Sequence, residues 1–325
     1  MSTFFIHLVF LHPPLFSRNI KQMNNQILKG SLLVALGAAS YGLLATFVKI
    51  AYQEDYTLAE VTFAQFSIGL AGVGLLLLLG RFSKKTDAPI VKRKAASIPK
   101  LIFTGVSLGT TSTFYYLAIQ HIPVSIGIVL LMQTVWMGVV LEMIILRKLP
   151  STKTTLAVLL ILFGTILATN MLVESADINW VGIGWGLLAA MSYTFFVFTT
   201  NRVATEMKAI QKTFWMLIGG FAFIIIFSFS SLLVKFDLTI FLKWGPILAL
   251  FGTILPPILF SYGMPLTGLG LGTILSSIEI PVSVLMAFFL LNESVNGWQW
   301  LGIVIIILTV IILNLPKKKK NTAQI

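Results

Sequence analysis

Apolar stretches of roughly 20 residues recur along nearly the whole chain, each long enough to cross a hydrocarbon core of about 30 Å at about 1.5 Å per residue. Ten can be marked, near 30–50, 60–80, 99–119, 123–146, 154–173, 180–200, 213–234, 244–262, 267–291 and 297–315. A bilayer interior offers no water to unpaired backbone groups, so such runs are helices unless they close a barrel. The period-two alternation of a barrel is absent. Only 10% of residues are charged and 57% are hydrophobic, against about a quarter charged in a soluble domain. The expectation is an all-α integral membrane protein with ten transmembrane helices.

The net charge of +12 does not point to nucleic acid once the charges are located. If alternate loops are compared, one set with both tails holds 20 of the basic residues and the other only Lys49, Lys235 and Lys243. Basic loops resist translocation, so both termini are expected in the cytoplasm of a multi-pass cell-membrane protein, with anionic lipid as a contact. No cysteine is present, which excludes disulfides and thiolate metal sites. His7, His12 and His121 are too scattered for a metal box, and neither metal nor cofactor is expected. Residues 1–26 read as a cytoplasmic tail in which Met23 offers an alternative start, and residues 316–325 as a basic cytoplasmic tail.

The chain also repeats itself. A shift of 146 sets FYYLAI (114–119) on FSYGMP (260–265), pairing Phe114 with Phe260, Tyr116 with Tyr262 and Gln133 with Glu279 without a gap. A shift of 152 sets GAASYG (37–42) on AAMSYT (189–194), pairing Ser40 with Ser192 and Tyr41 with Tyr193. The repeats are 27–173 and 178–315, with five spans each. An odd number of spans turns the second copy upside down, and inverted repeats accompany alternating access around a midplane site.

The tandem halves, the link YYLAIQHIPVSIGIVLL and the segment IEIPVSVLMAFFLLNESVNGWQWLGIVIIIL resemble the EamA-type members of the drug/metabolite transporter superfamily over about residues 27 to 315. In that family each half commonly has a Pro in its fourth helix, a Glu at that helix end and an aromatic-Leu-Gly step opening the fifth. The second half matches with Pro281, Glu293 and Trp300-Leu301-Gly302, while the first has Val135 and Arg147 at the Pro and Glu positions. The resemblance implies export of amino acids or related small metabolites, often coupled to protons. A homodimer is left open.

Glu279 is the proton-coupling candidate. Gly268, Gly272, Ser276, Glu279, Ser283 and Ala287 share one helical face, and an ionised acid facing lipid costs on the order of 2–3 kcal/mol or more, so Glu279 is expected to face the bundle. Pro281 removes the bond to the Ser277 carbonyl and kinks the helix. Two readings stand for Glu279: a pathway acid, or a clamp bonded to serines or a tyrosine. Gln133 is its counterpart in the first half. Glu142 is expected to snorkel toward, or pair with, cytoplasmic cations. Tyr41, Tyr116, Tyr193, Tyr262 and Trp136 are cavity candidates among the interior aromatics, which also include Tyr115 and Trp185; Trp180, Trp244 and Trp298 suit the interface.

The competing classes are a membrane-embedded enzyme and a channel or sensor. Against an enzyme, carboxylate pairs and His clusters are absent, and GLGLG (268–272) and GIGWG (182–186) lack the following Lys of a phosphate loop. The expectation is a secondary transporter of a small molecule by alternating access.

Overall fold

A computed structural model describes residues 20–82, 97–122, 124–170, 179–292 and 294–314. Glu293, His7, His12 and the tail 316–325 lie outside the described residues. Among the described residues the chain is helical throughout: α1 (Ile20–Gln53), α2 (Leu58–Phe82), α3 (Ser97–Ala118), α4 (Val124–Leu131), α5 (Thr134–Leu146), α6 (Thr152–Ala168), α7 (Trp180–Arg202), α8 (Ala209–Val234), α9 (Ile240–Lys243), α10 (Gly245–Ala249), a π-helical turn (Leu250–Ile254), α11 (Leu255–Thr267), α12 (Leu269–Ser276), α13 (Glu279–Leu290) and α14 (Gly297–Asn314).

Eight helical segments, some made of consecutive elements, are long and apolar enough to cross a membrane. The helix α6 is apolar but has 17 residues, and α3 is long but rich in serine and threonine. Leucine and phenylalanine side chains such as Leu75, Leu159, Phe163 and Phe229 stay exposed, as expected where lipid rather than water is the solvent.

Three breaks in the helices have local causes. Pro256 and Pro257 bring no N–H to the preceding turn, which widens into the π turn, with Leu255 N–H reaching back to the Leu250 carbonyl. The Phe251 carbonyl, whose π partner would be Pro256, accepts instead from Ser40 Oγ at 3.2 Å. At the α12–α13 junction, Pro281 likewise has no N–H for the Ser277 carbonyl, and the Ile280 N–H takes its place at 3.1 Å in a tighter turn. The break therefore falls at Ser277–Ile278 rather than at the proline.

The α4–α5 junction breaks at Met132–Gln133 without any proline. There the Gln133 N–H bonds to the Leu130 carbonyl at 3.0 Å, and the Val129 carbonyl it leaves is taken by Gln133 Nε2 at 2.9 Å.

Helix α3 packs against α7 and α8, while the α10–α11 segment packs against α1 and α2. The α4–α5 pair meets α7, and the α12–α13 pair meets α1. Further contacts join α2 to α8, α5 to α12 and α6 to α14. Close approach of α3 and α8 depends on glycine: a methyl group on Gly105 would strike the Met216 carbonyl, and one on Gly219 the Ile102 carbonyl. At the centre, Tyr41 meets Tyr193 and Phe260 edge-on at 6.2 and 5.9 Å, and Phe196 stacks on Tyr193 and Phe260.

Candidate functional site

Above this aromatic cluster lies a cavity with about 700 Å³ of empty space, its open mouth included. Its walls come from α1, α3, α4, α7 and the α13 start, and its polar lining is Glu279, Tyr41, Tyr193, Tyr115, Tyr116, Thr111, Ser112 and Ser283. Glu279 is the first residue of α13, set at the break that Pro281 imposes, so its carboxyl projects from a junction between two rods. Among the described residues no hydrogen-bond donor reaches that carboxyl. The Tyr41 and Tyr193 hydroxyls are also buried, and among the described residues neither oxygen accepts a hydrogen bond. Buried polar groups are normally paired, so two buried phenols with open acceptor oxygens beside a carboxyl that no donor reaches mark a place built to receive polar groups from outside the chain.

Tyr41, Tyr116, Tyr193 and Glu279 thus share one cavity, and three other candidates lie outside it. Tyr262 is 49% exposed on the outer surface of α11. Gln133 is occupied by the α4–α5 break, and Trp136, 39% exposed, donates from its indole Nε1 to Gln133 Oε1 at 2.8 Å. The expected pairing of Tyr116 with Tyr262 and of Glu279 with Gln133 is therefore not a pairing of environments. Tyr115, Thr111, Ser112 and Ser283 are lining residues that the candidate set omitted. Thr111, Ser112 and Tyr115 recur at helical spacing on α3, a polar stripe in an apolar run that periodicity reveals.

The α3 residues facing the cavity, Leu108 to Tyr116, belong to its C-terminal half, and those of α4, Ile128 and Leu131, border the same end of the bundle. At the other end, which carries the basic loops, side chains of different helices hold each other closely. The Glu142 carboxylate of α5 accepts from the Leu269 and Gly270 N–H groups of α12 at 3.1 and 3.0 Å. This corrects the expectation that Glu142 pairs with cations: the backbone at a helix N-terminus supplies the positive end instead. Gly268 before it has φ of +84°, a conformation that favours glycine, and a side chain on Gly270 would strike Glu142. GLGLG is thus a carboxylate cradle as well as a packing stripe. Nearby, Asn201 Nδ2 donates to the Met264 carbonyl, and buried Lys212 donates to the Thr200 carbonyl at 2.5 Å.

Polar contacts at the cavity end join the loop after α1 to the segment after α8. Glu54 pairs with Lys243 at 2.8 Å and accepts from Trp244 Nε1 at 2.8 Å. Hydrogen bonds from Lys243 and Trp244 hold the Glu54 carboxyl below its ordinary value, and the same bond to Glu54 raises Lys243. Glu60 accepts from the Asp237 N–H at 2.6 Å, and Tyr56 meets Thr239 at 2.7 Å. Among the described residues no cluster of His, Asp and Glu could hold a metal ion.

With the helices and cavity in view, the chain can be classed among known proteins. Residues 28–170 and 180–315 both match the EamA-like transporter family, to which the chain belongs. It is a multi-pass membrane transporter of the drug/metabolite type. An inner membrane transporter of Salmonella typhimurium strain LT2, YicL, itself uncharacterized, is 24% identical over 298 residues, 91% of this chain and 98% of that protein. A solved crystal structure shares the fold with a TM-score of 0.70 at 14% identity, covering 88% of this chain and 98% of its own.

Proposed function

We propose that this protein is a secondary transporter that exports a small metabolite, an amino acid or a related compound, across the cytoplasmic membrane by alternating access, with Glu279 as its proton-coupling site. Both termini lie in the cytoplasm, as the basic loops suggest, and the cavity then faces outward. Ten spans form two inverted repeats, α6 and α3 being the two spans of modest length or apolarity. The export direction follows from the family resemblance.

The observation that carries this reading is the symmetry of contacts around one cavity. Exchanging the first five spans for the second five carries the principal contacts onto one another: α3 on α7 and α8 becomes α10–α11 on α1 and α2, and α4–α5 on α7 becomes α12–α13 on α1. Ser40 and Ser192, paired by the sequence repeat, make corresponding cross-helix bonds, to Phe251 on one side and from Thr110 on the other. A bundle whose halves are interchangeable can exchange their conformations and so expose the cavity alternately. The clamp reading of Glu279 is disfavoured, because a clamp needs bonds and none reaches this carboxyl among the described residues.

The test is Glu279→Gln in proteoliposomes. It keeps size and hydrogen bonding but forbids ionisation, so accumulation driven by an imposed pH difference should disappear while exchange between two sides survives. Undiminished accumulation against a gradient would remove Glu279 from coupling. Counterflow that does not saturate would favour a channel.

A further inference from the structure

Building on the transport reading above and narrowing its cargo from amino acids to related amines, we infer that the cargo is a primary or secondary organic ammonium with an apolar or aromatic body and no free carboxylate, neutralised in the cavity by Glu279. Among the described residues the cavity has 14 lining residues, of which Glu279 is the one acid and none is Lys, Arg or His. Lys212, the buried cation of the bundle, is not among them and is engaged with the Thr200 carbonyl at the basic end. An anion in this cavity would meet Glu279 with nothing to compensate it. A zwitterion would satisfy Glu279 with its ammonium and leave its own carboxylate only neutral hydroxyl donors and no cation, which is costly in an apolar enclosure.

The walls fit the cation in a second way. Tyr41, Tyr115, Tyr116 and Tyr193 contribute rings, whose faces attract ammonium groups. The Tyr41 and Tyr193 hydroxyl oxygens, buried and unpartnered, are acceptors for N–H groups, and their rings lie 6.2 Å apart. A primary ammonium has three donors, and the cavity offers a carboxylate and two free phenol oxygens. A quaternary ammonium would leave those oxygens unsatisfied. Leu44, Ala45, Leu108, Ile128, Leu131 and Ile280 supply the apolar remainder of the wall.

A single carboxylate holds either a proton or the ammonium, so the two compete. The ionisable groups sharing the cavity with Glu279 are Tyr41 from α1, Tyr115 and Tyr116 from α3 and Tyr193 from α7, all phenols. Exchange of one proton for one monoamine moves no net charge, and transport of a monoamine is independent of membrane potential.

The matched compounds phenethylamine, phenylalanine and 3-phenylpropionate share a ring and chain and differ in their charged groups. Binding is measured by calorimetry on the purified protein, and passage by uptake into proteoliposomes under an imposed pH difference. Phenethylamine should bind more tightly than the other two by about tenfold or more, and its affinity should fall as the pH is lowered and protons compete for the one carboxylate. Glu279→Gln should weaken this binding and abolish the preference for the amine over phenylalanine, and Glu279→Asp, which keeps the charge, should retain that preference. If phenylalanine or phenylpropionate binds as well as phenethylamine, or phenethylamine does not bind, the inference fails and the transport reading stands or falls by uptake alone. If phenethylamine binds with the expected preference but never crosses, the transport reading fails while the cation preference holds.

Discussion

The Glu142 contact is the clearest mechanical element of the basic end, and Glu142→Gln tests it. The wild-type carboxylate bridges to two N–H groups of α12, at 3.1 and 3.0 Å. An amide of the same size offers one oxygen to one N–H and turns its own NH₂ toward the other, so one charge-assisted bond and the anion at the helix N-terminus are both lost. Hydrogen bonds to charged groups contribute roughly 1.5–3 kcal/mol, and an anion at a helix N-terminus roughly 0.3–1 kcal/mol. Glu142 is half-buried, so water recovers part of the loss, leaving a net weakening of roughly 1–2 kcal/mol, or about 5–30-fold in the ratio of closed to open forms. The chain has no cysteine, so Ser276→Cys, a fully buried position on α12, gives a clean reporter. In inverted and right-side-out vesicles, an impermeant maleimide should label this thiol faster from the basic side in the Glu142→Gln background, by about that factor. Equal labelling rates in both backgrounds would refute the clamp.

Other outcomes follow from the same contacts. Tyr116→Ala should weaken saturation by substrate, while Tyr262→Ala, on the exposed face of α11, should leave it unchanged; equal effects in a transport assay would place Tyr262 in the pathway. Gly219→Leu should abolish the α3–α8 approach, costing on the order of 3 kcal/mol, seen as lost monodisperse protein in gel filtration, whereas Gly184→Ala, with nothing within 4 Å of the added carbon, should not. The Glu54–Lys243 pair should respond to pH with a definite sign. Glu54 is lowered from 4.5, so its contribution is complete above that value and lost as pH falls through the lowered one; Lys243 is raised from 10.5, so its contribution is complete below that value and lost as pH rises through the raised one. Trp244 fluorescence should therefore stay constant across neutral pH and change in acid, and Glu54→Gln should remove the acid transition.

Helix positions were legible because each apolar run was long enough to cross a membrane and had to pair its own backbone groups: the runs fall on α1 to α14 with most ends off by about five residues or fewer, although α1 already begins at Ile20. The break before Glu279 was legible from Pro281, but its position was not, since the proline acts on the turn before it. The Met132–Gln133 break had no such residue, and its signal was a glutamine whose amide could replace a lost backbone bond. Repeat pairing proposed Tyr262 and Gln133 as cavity residues because it aligns sequence and not state: when one end of a two-state bundle is open, equivalent residues occupy different surroundings. Glu142 was misread because the backbone N–H groups of α12 are invisible in sequence, where only side-chain cations suggest themselves as partners. Tyr115 was visible but not chosen, since it had no tyrosine counterpart in the second half.

The two glutamates lie at the two ends of one rod. Glu142 holds the N-terminus of α12, and Glu279 begins α13 just past the Ser277–Ile278 break. At about 1.5 Å per residue, the eight residues of α12 form a lever about 12 Å long between clamp and hinge. Ser276 and Ser277 bond back to the Thr273 and Ile274 carbonyls at 2.7 Å each, so both hydroxyl protons beside the hinge are given to α12 itself. On the alternating-access reading, what occupies the cavity beside Glu279 acts at the hinge, and Glu142 resists the swing at the far end. Loss of either glutamate should therefore alter exchange, but differently: removing Glu142 changes how often the basic end opens, whereas removing Glu279 changes what must be bound for it to open. A double variant separates the two. If Glu142→Gln restores no basic-side labelling of Ser276→Cys in a Glu279→Gln background that lacks it, the hinge and not the clamp limits the motion.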